Sequence, residues 1–303
     1  MLRAHEVRTV LTLALILVVA GCTGAGADDA NGRLSVVASF YPLAFAAERI
    51  GGGCVDVADL TPPGVEPHDL ELTPDTVASI AGADLVLYLG GGFQPAVEDA
   101  LGEAEGETLD LLSTVPTIPG VAQSAGAPST DPHVWLDPGR FATIAEAIGD
   151  ALSRSGAAGA CDFERRATEL GDELEQLDAR FDRGLADCRL DVFVVSHAAF
   201  GYLADAYGLR QVPIAGLEPD IEPDPRRFAE MAEAVEREGV DTIFTEELVS
   251  PEVARTLAAE TDARTAVLWT IEGLADPERA TGDDYLTLMR RDLDALRGAL
   301  DCA

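Results

Sequence analysis

Three histidines, His68, His133 and His197, are the residues of this chain whose type and spacing most suggest chemistry. The chain contains only four histidines in all. His68 lies in the segment PPGVEPHDLELTP, whose three prolines predict a stiff loop after the apolar run VDVADL. His133 lies in DPHVWLDP, and His197 ends the run VFVVSH. All three fall at loop or strand-end positions, and neutral imidazoles are the ligands that zinc prefers, so the sequence predicts a zinc site.

The elements around these histidines alternate between strands and helices. In the first half, apolar runs and turn signals predict the series of strand RLSVVASF, helix PLAFAAERIGGG, strand VDVADL, helix TPDTVASIAGA, strand DLVLYLG, helix QPAVEDAL and a short strand TLDLL. A helix from about 138 to 153 follows a loop at 113–132 that is rich in Pro, Gly, Ser and Ala. Such an alternation is typical of a parallel sheet with helices on its faces. We therefore predict an N-terminal lobe over residues 34–161, with ligand sites at the carboxyl ends of its strands.

A single long helix is predicted between two halves of the chain. The segment DFERRATELGDELEQLDARFDRG carries apolar residues at steps of three and four, which predicts an amphipathic helix about 33 Å long within residues 162–187. The strand and helix alternation then restarts and predicts a C-terminal lobe over residues 188–303. Because His68 and His133 belong to the first half and His197 to the second, they can meet only in a cleft between the lobes. The predicted fold class is α/β, with two parallel-sheet lobes joined by one long rigid helix.

The N-terminal segment indicates export. Residues 1–21 carry two arginines and then an almost unbroken apolar run, which is typical of a secretory signal peptide. The following VVAGC resembles the lipobox of bacterial lipoproteins, and this predicts acylation of Cys22 and a tether over residues 22–33. An ordinary signal peptide cut elsewhere is the alternative. With Cys22 acylated, the protein is anchored to the outer face of the cytoplasmic membrane.

The charge balance excludes one class of partner. The chain has 54 acidic and 21 basic residues, all of the latter arginine, and a formal net charge of −33. Nucleic acid is excluded as a partner, because binding to phosphates needs the opposite charge. Such acidity is typical of proteins that stay soluble at high ionic strength, although a GC-rich genome would also explain the arginine bias. We expect a monomer.

Four cysteines remain after Cys22, and in an exported protein an even number favours disulfides. Cys161 and Cys188 stand at opposite ends of the predicted long helix, too far apart to be bonded to each other. Cys54 follows the first helix of the first lobe, on the side of Cys161, and Cys302 ends the second lobe. We therefore predict the pairs Cys54–Cys161 and Cys188–Cys302.

On its motifs, the chain resembles the zinc- and manganese-type solute-binding proteins of ABC transporters, and most closely the zinc-uptake (ZnuA-type) lipoproteins. The resemblance covers nearly the whole mature chain and rests on the segments PPGVEPHDLELTP, DPHVWLDP, VVSHAAFGYLADAYGL, EELVSP and GDDYLTLMRRDLDALRGAL. It implies two lobes joined by a long helix, with His68, His133 and His197 as metal ligands. It also implies extracytoplasmic capture of a metal ion and delivery to a permease with its ATPase. The manganese branch usually carries Glu at the place of His197, so this chain favours Zn²⁺ as the transported ligand.

The fourth ligand is where the chain departs from the family pattern. The family commonly has an Asp in a segment like LDPLG, whereas this chain reads VLWTIEGL and places Trp269, which cannot bind a cation, at that position. If the match is shifted so that TIEGL covers the family segment, Glu272 takes the place of the Asp and becomes the carboxylate ligand. Water or Glu66 would also complete a tetrahedral zinc site. The loop at 113–132 lacks the histidines that many zinc-uptake members carry there.

Other functions fit parts of the same pattern. Manganese or ferrous iron would suit a binding protein of the same family, and three histidines with an open position also describe the zinc of a hydrolase. An adhesin of the cell surface is a further possibility, without a sequence signature. The chain has no HExxH motif, and no general base is fixed by spacing beside a ligand. We therefore expect a binding protein and not an enzyme.

Overall fold

The computed structural model describes residues 32–121, 130–155, 161–219 and 224–303. The predicted signal peptide, the acylation site at Cys22 and most of the predicted tether lie outside the described residues. In the described part, two four-stranded sheets are present, and every strand pair within them is parallel. The predicted class, two α/β lobes with parallel sheets, is confirmed.

The N-terminal lobe is built on the sheet order β2-β1-β3-β4. Its elements are, in chain order, β1 (Leu34–Ala38), α1 (Tyr41–Gly51), β2 (Val55–Asp59), α2 (Pro74–Gly82), β3 (Leu85–Tyr88), α3 (Pro95–Ala100), β4 (Glu107–Asp110) and α4 (Pro138–Arg154). Side-chain caps start several of the helices: Thr73 accepts a hydrogen bond from the backbone N–H of Thr76 in α2, and Asp137 accepts from Gly139 and Arg140 in α4. The Asp137 cap fixes where α4 begins, only a few residues after His133.

The C-terminal lobe repeats this arrangement with the sheet order β6-β5-β7-β8. After the connecting helix α5 (Phe163–Leu185), its elements are β5 (Val192–Val195), α6 (Gly201–Ala206), β6 (Arg210–Pro213), α7 (Pro225–Glu238), β7 (Thr242–Thr245), α8 (Glu252–Glu260), β8 (Arg264–Val267), α9 (Asp276–Thr281) and α10 (Tyr285–Leu300). All four residues of β5 are buried, as expected for a central strand covered on both faces. The strand and helix alternation of both halves agrees with the sequence prediction, except that α9 was not predicted.

Helix α5 joins the lobes as one continuous element of 23 residues. It packs against α1, α4 and α10. Its apolar face is buried along the whole length, through Phe163, Ala167, Leu170, Leu174, Leu177, Phe181 and Leu185. The close contact with α4 depends on Gly149, because a Cβ there would lie 2.5 Å from the Cβ of Ala167. A single hydrophobic cluster therefore runs from β1 and β3 through α5 to β5 and β7.

Two disulfides lie near the two ends of α5. Cys54 is bonded to Cys161 and Cys188 to Cys302, with Cα atoms 6.2 Å and 3.8 Å apart. The first bond ties the end of α1 to the start of α5. The second ties the chain after α5 to the carboxyl terminus. Each bond therefore lies within one half of the molecule and none crosses the cleft.

One local detail differs from the sequence prediction. The proline-rich segment around His68 was expected to be loop throughout, but Pro67–Asp69 form a single 3-10 turn. Pro67 occupies the first position of that turn, where its missing N–H costs nothing, and Glu66 caps it. In the described part of the chain, no helix is both long enough and apolar enough to span a membrane.

Candidate metal centre

His68 reaches the cleft on the long loop that follows β2. The side chain of Glu66 accepts a hydrogen bond from the backbone N–H of His68, at 3.3 Å, and so fixes the turn that carries the imidazole. The ring of Phe93 meets the His68 ring edge-on, with centroids 4.8 Å apart. The His68 side chain is 9% exposed, which leaves it as the accessible edge of the cluster.

His133 lies fully buried just before α4, beside Trp135. Asp131 accepts two hydrogen bonds at Oδ1, one from the backbone N–H of His133 at 2.9 Å and one from its Nδ1–H at 2.8 Å. This double contact fixes both the backbone and the ring. With the proton on Nδ1, the lone pair of Nε2 points into the cleft and is free to bind a metal ion.

His197 lies two residues after the end of β5 and is also fully buried. Glu246, which follows β7, accepts from the backbone N–H of His197 at 3.0 Å and from its Nδ1–H at 2.6 Å. Because β5 and β7 are neighbours in the sheet, their carboxyl ends bring the imidazole and the carboxylate together. His197 therefore also presents Nε2 to the cleft.

Glu272 enters from the segment that follows β8. It is fully buried, and neither carboxylate oxygen has a hydrogen-bond partner among the described residues. The residue before it, Ile271, has φ of +56°, a conformation that a β-branched side chain rarely adopts. A buried carboxylate without partners is costly unless a cation compensates it. Glu272 therefore lies where a bound cation would compensate its buried charge.

The four donor atoms nearly define a tetrahedron. Nε2 of His133 lies 3.3 Å from Nε2 of His68, from Nε2 of His197 and from Oε1 of Glu272. Oε1 of Glu272 lies 3.7 Å from Nε2 of both His68 and His197, and all four donors lie within 4.8 Å of one another. Four ligands about 2.0–2.1 Å from a tetrahedral zinc ion would be separated by about 3.3–3.4 Å. The observed spacing matches that edge length closely around His133.

The charges of the site favour a bound cation. Burial lowers the pKa of His68. Burial also opposes charge on His133 and His197. The hydrogen bond that His133 donates to Asp131 nevertheless raises the pKa of His133, and the charge of Glu246 raises the pKa of His197 well above its ordinary value. Burial alone would raise the pKa of Glu272, but the three imidazoles that face its Oε1 outweigh burial and hold that pKa well below the ordinary range. The carboxylates around the imidazoles thus create a negative environment that a divalent ion would neutralise.

Glu66, the other side chain predicted as a fourth ligand, and Trp269, which stands at the family's Asp position, do not join the four converging donors. Glu66 caps the turn of His68 and is not part of the group of four converging donors. Burial and the nearby Glu272 raise the pKa of Glu66 to about 10. Trp269 turns away, with its indole N–H donating to Glu278 and its backbone N–H to Asp292. Of the sequence candidates, the structure brings together His68, His133, His197 and Glu272.

Two functional carboxylates, Asp131 and Glu246, were missed in the sequence. Asp131 stands two residues before His133, a spacing typical of a side chain that hydrogen-bonds the backbone two residues on. Glu246 stands at the carboxyl end of a predicted buried strand, the usual place for functional residues in this fold. These signals were available, but nothing in the sequence pairs Glu246 with His197, 49 residues away.

Comparison with known proteins identifies the family. Residues 36–299 match the family model described as the periplasmic zinc-uptake complex component A, ZnuA. The chain belongs to the ZnuA family. The resemblance seen in the sequence is thereby confirmed. ZnuA proteins are extracytoplasmic solute-binding components of metal-uptake transporters and are not enzymes.

Individual ZnuA-family relatives agree over most of the chain. The zinc-binding protein AdcA of Streptococcus pyogenes is 34% identical over 295 residues, which cover 90% of this chain and 57% of that protein. This chain thus spans little more than half the length of that relative. The high-affinity zinc uptake system protein ZnuA of Bacillus subtilis is 33% identical over 303 residues, with 95% of each chain covered. The crystal structure of the Zn(II)-bound ZnuA-like domain of Streptococcus pneumoniae AdcA superposes with a TM-score of 0.77 at 34% identity, and covers 89% of this chain and 100% of that one.

Proposed function

We propose that this protein captures Zn²⁺ outside the cytoplasmic membrane and delivers it to an ABC-transporter permease with its ATPase. The observation that carries the proposal is the convergence of three imidazole nitrogens and one unpartnered carboxylate at tetrahedral spacing. His68, His133, His197 and Glu272 are the proposed ligands. A site formed by residues from both halves of the molecule can release its ion when the halves separate.

The donor set favours zinc over manganese and ferrous iron. Three nitrogens and one oxygen are typical of tetrahedral Zn²⁺ sites, whereas Mn²⁺ prefers oxygen donors and six-coordinate geometry. The affinity of imidazole sites also rises toward the later metals of the first transition row. The short separations around His133 leave little room for two further ligands.

The same geometry favours binding over hydrolysis. A catalytic zinc ion keeps an open position for water or substrate, while four protein ligands close the tetrahedron. The three fully buried donors leave only His68 partly accessible. Such a closed site suits a protein that carries the ion.

The export and anchoring of the protein are part of the proposal. Residues 1–21 would be removed as a signal peptide, Cys22 would be acylated, and residues 22–33 would tether the lobes to the membrane. The lobes would comprise residues 34–161 and 188–303, joined by a linker helix at 162–187. Anchoring keeps the captured ion close to the permease, so that it does not diffuse away.

Competition titration against a chromophoric chelator tests the function. We expect the mature chain to bind one Zn²⁺ and to bind it much more tightly than Mn²⁺ or Fe²⁺. The variant Glu260→Gln, at an exposed position of α8, serves as a control and should bind like the wild type. Tighter binding of Mn²⁺ than of Zn²⁺, or no binding of either, would overturn the proposal.

A further inference from the structure

The turn that presents Glu272 is in an unfavourable backbone conformation. Ile271 has φ of +56° and is fully buried, although glycine is the residue that normally occupies this region. Without external restraint, the backbone at Ile271 would relax to negative φ and rotate the next side chain away. Some contact must therefore hold this turn in place.

Glu247 supplies contacts that restrain the turn. Its Oε1 accepts the backbone N–H of Ile271 at 3.1 Å, and its Oε2 accepts the backbone N–H of Thr270 at 3.3 Å. The hydroxyl of Thr270 donates to Oε1 at 3.4 Å. One carboxylate thus satisfies both backbone donors that precede Glu272, and it does so from the segment after β7, which is the strand next to β8 in the sheet.

A second restraint comes from the other half of the molecule. The indole N–H of Trp135, two residues after His133, donates to the backbone carbonyl of Thr270 at 2.8 Å. Trp135 is itself fully buried. The peptide groups of the turn are therefore held from both sides, by Glu247 within the C-terminal half and by Trp135 across the cleft.

From this geometry we propose that Glu247 is the positioning residue that holds Glu272 in place as the fourth zinc ligand. Glu247 does not join the group of converging donors, and its side-chain hydrogen bonds go to the turn instead. The inference rests on the proposed function, because it assigns a role within the same site. Loss of Glu247 releases the turn, Glu272 leaves the donor cluster, and zinc is held by three imidazoles and a water molecule.

A double-mutant cycle on the mature protein tests this role. We expect Glu247→Ala to weaken zinc binding about 10- to 100-fold, the usual range for residues that orient a ligand. In a Glu272→Gln background the same substitution should change zinc affinity less than about twofold, because the ligand that it positions is already lost. An equal loss in both backgrounds would overturn the inference.

The visible absorption spectrum of bound Co²⁺ gives a readout that general destabilisation would not produce. Co²⁺ reports the number and type of its ligands, so the spectrum of Glu247→Ala should match that of Glu272→Gln and differ from that of the wild type. A spectrum of Glu247→Ala identical to that of the wild type would overturn the inference. The exposed Glu260→Ala should leave both affinity and spectrum unchanged.

Two further variants keep the test decisive. If Glu247→Ala does not fold, Glu247→Gln replaces it, because an amide retains one acceptor oxygen. We expect Glu247→Gln to lower zinc affinity by an intermediate amount in the wild-type background and to have no effect in the Glu272→Gln background. Glu246→Gln, at the adjacent residue, should weaken zinc binding in both backgrounds, because it acts through His197. A wild-type protein that binds no zinc would overturn the proposed function itself, whereas zinc binding with equal losses in both backgrounds would overturn only the role of Glu247.

Discussion

Each buried imidazole of the site is oriented by a carboxylate, and the accessible one is not. His133 and His197 donate Nδ1–H to Asp131 and Glu246, whereas His68 is held by its turn and by the ring of Phe93. A hydrogen-bonded carboxylate fixes the tautomer and makes the imidazole a stronger ligand. The two buried histidines are thus held rigidly by their carboxylates, and His68 completes the group of imidazoles on its accessible side.

Alanine substitution tests the ligand assignment at the residue scale. Substitution of a residue that hydrogen-bonds to a metal ligand typically lowers metal affinity about 10- to 100-fold. Removal of a ligand itself, His68, His133 or His197, should lower zinc affinity at least as much. Glu272→Ala should also weaken zinc binding. Trp269→Phe, which points away from the donors, should bind zinc like the wild type. Chelator competition measures all five proteins, and unchanged affinity after loss of His197 would contradict a site shared by both lobes.

Proton release on zinc binding is the second prediction at this scale. The charge of Glu246 raises the pKa of His197 well above its ordinary value, and Asp131 raises that of His133. These imidazoles therefore carry protons at a higher pH than free histidine, and zinc must displace them. Apparent zinc affinity should fall as the pH drops from 8 to 5.

Calorimetry in two buffers of different ionisation enthalpy counts the released protons. At pH 7 we expect net proton release on zinc binding. Zinc affinity that is constant between pH 5 and 8, with no proton release, would argue against imidazole ligation.

At the scale of elements, the ends of the parallel strands of the C-terminal lobe supply two of the proposed ligands and the carboxylates that support them. His197 follows β5, Glu246 and Glu247 follow β7, and Glu272 comes shortly after β8. Adjacent strands of a parallel sheet end at one edge, so residues far apart in the chain become neighbours there. Helix α10 contacts the segment that follows β8, since its Asp292 accepts a hydrogen bond from the backbone N–H of Trp269 at 2.8 Å.

The buried Asp292 should make stability depend on pH. Asp292 is fully buried, and burial raises its pKa well above the ordinary value. The folded protein thus binds this proton more tightly than the unfolded chain, and the resulting stabilisation is present at low pH and lost as the pH rises through the raised pKa. Asp292→Asn keeps the acceptor for Trp269 and removes the titration. Its free energy of unfolding, relative to the wild type, should increase from pH 4 to pH 8, by at most about 1.4 kcal/mol per pH unit.

Urea unfolding at several pH values measures this difference. Asp294→Asn, at an exposed position of the same helix, is the matched control and should show a much smaller change with pH. A difference between Asp292→Asn and the wild type that stays constant over the range would show that Asp292 does not titrate as expected.

At the scale of the whole molecule, α5 and the continuous core hold the lobes together, while the disulfides act within each half. Neither bond spans the cleft. The bonds should therefore affect unfolding much more than metal binding. This division suits a carrier whose site must open without loss of its fold.

Removal of a disulfide tests that division. The bond between Cys54 and Cys161 closes a loop over a sequence separation of 107 residues. In the chain-entropy model a loop of that size contributes up to about 4–5 kcal/mol by restricting the unfolded chain. We expect the double variant Cys54→Ser with Cys161→Ser to unfold at lower urea concentration and to retain zinc affinity within about threefold. A loss of zinc affinity as large as that of a ligand variant would contradict this separation of roles.

The sequence by itself determined the alternation of strands and helices, the long connecting helix and the three converging histidines. These features depend on local patterns. The apolar positions of α5 repeat at helical spacing, and each histidine stands beside turn residues or at the end of an apolar run. Parallel strands bring such positions to the carboxyl edge of the sheet in each lobe, and the site lies between the two lobes, so local signals were sufficient to place the imidazoles near one another.

Only the tertiary structure decided which carboxylates serve which histidines and how Glu272 reaches the cluster. Glu66, much closer to His68 in sequence, caps a turn, whereas Glu272 lies 204 residues from His68 in the numbering and yet contributes the fourth donor. Glu272 reaches the cluster because Ile271 adopts a left-handed conformation, although the residue at that position is not glycine. Two hydrogen bonds hold this conformation: the backbone N–H of Ile271 donates to Glu247, and the indole N–H of Trp135 donates to the carbonyl of Thr270. A locally unfavourable conformation persists only because contacts with distant segments stabilise it, and such contacts leave no pattern in the sequence.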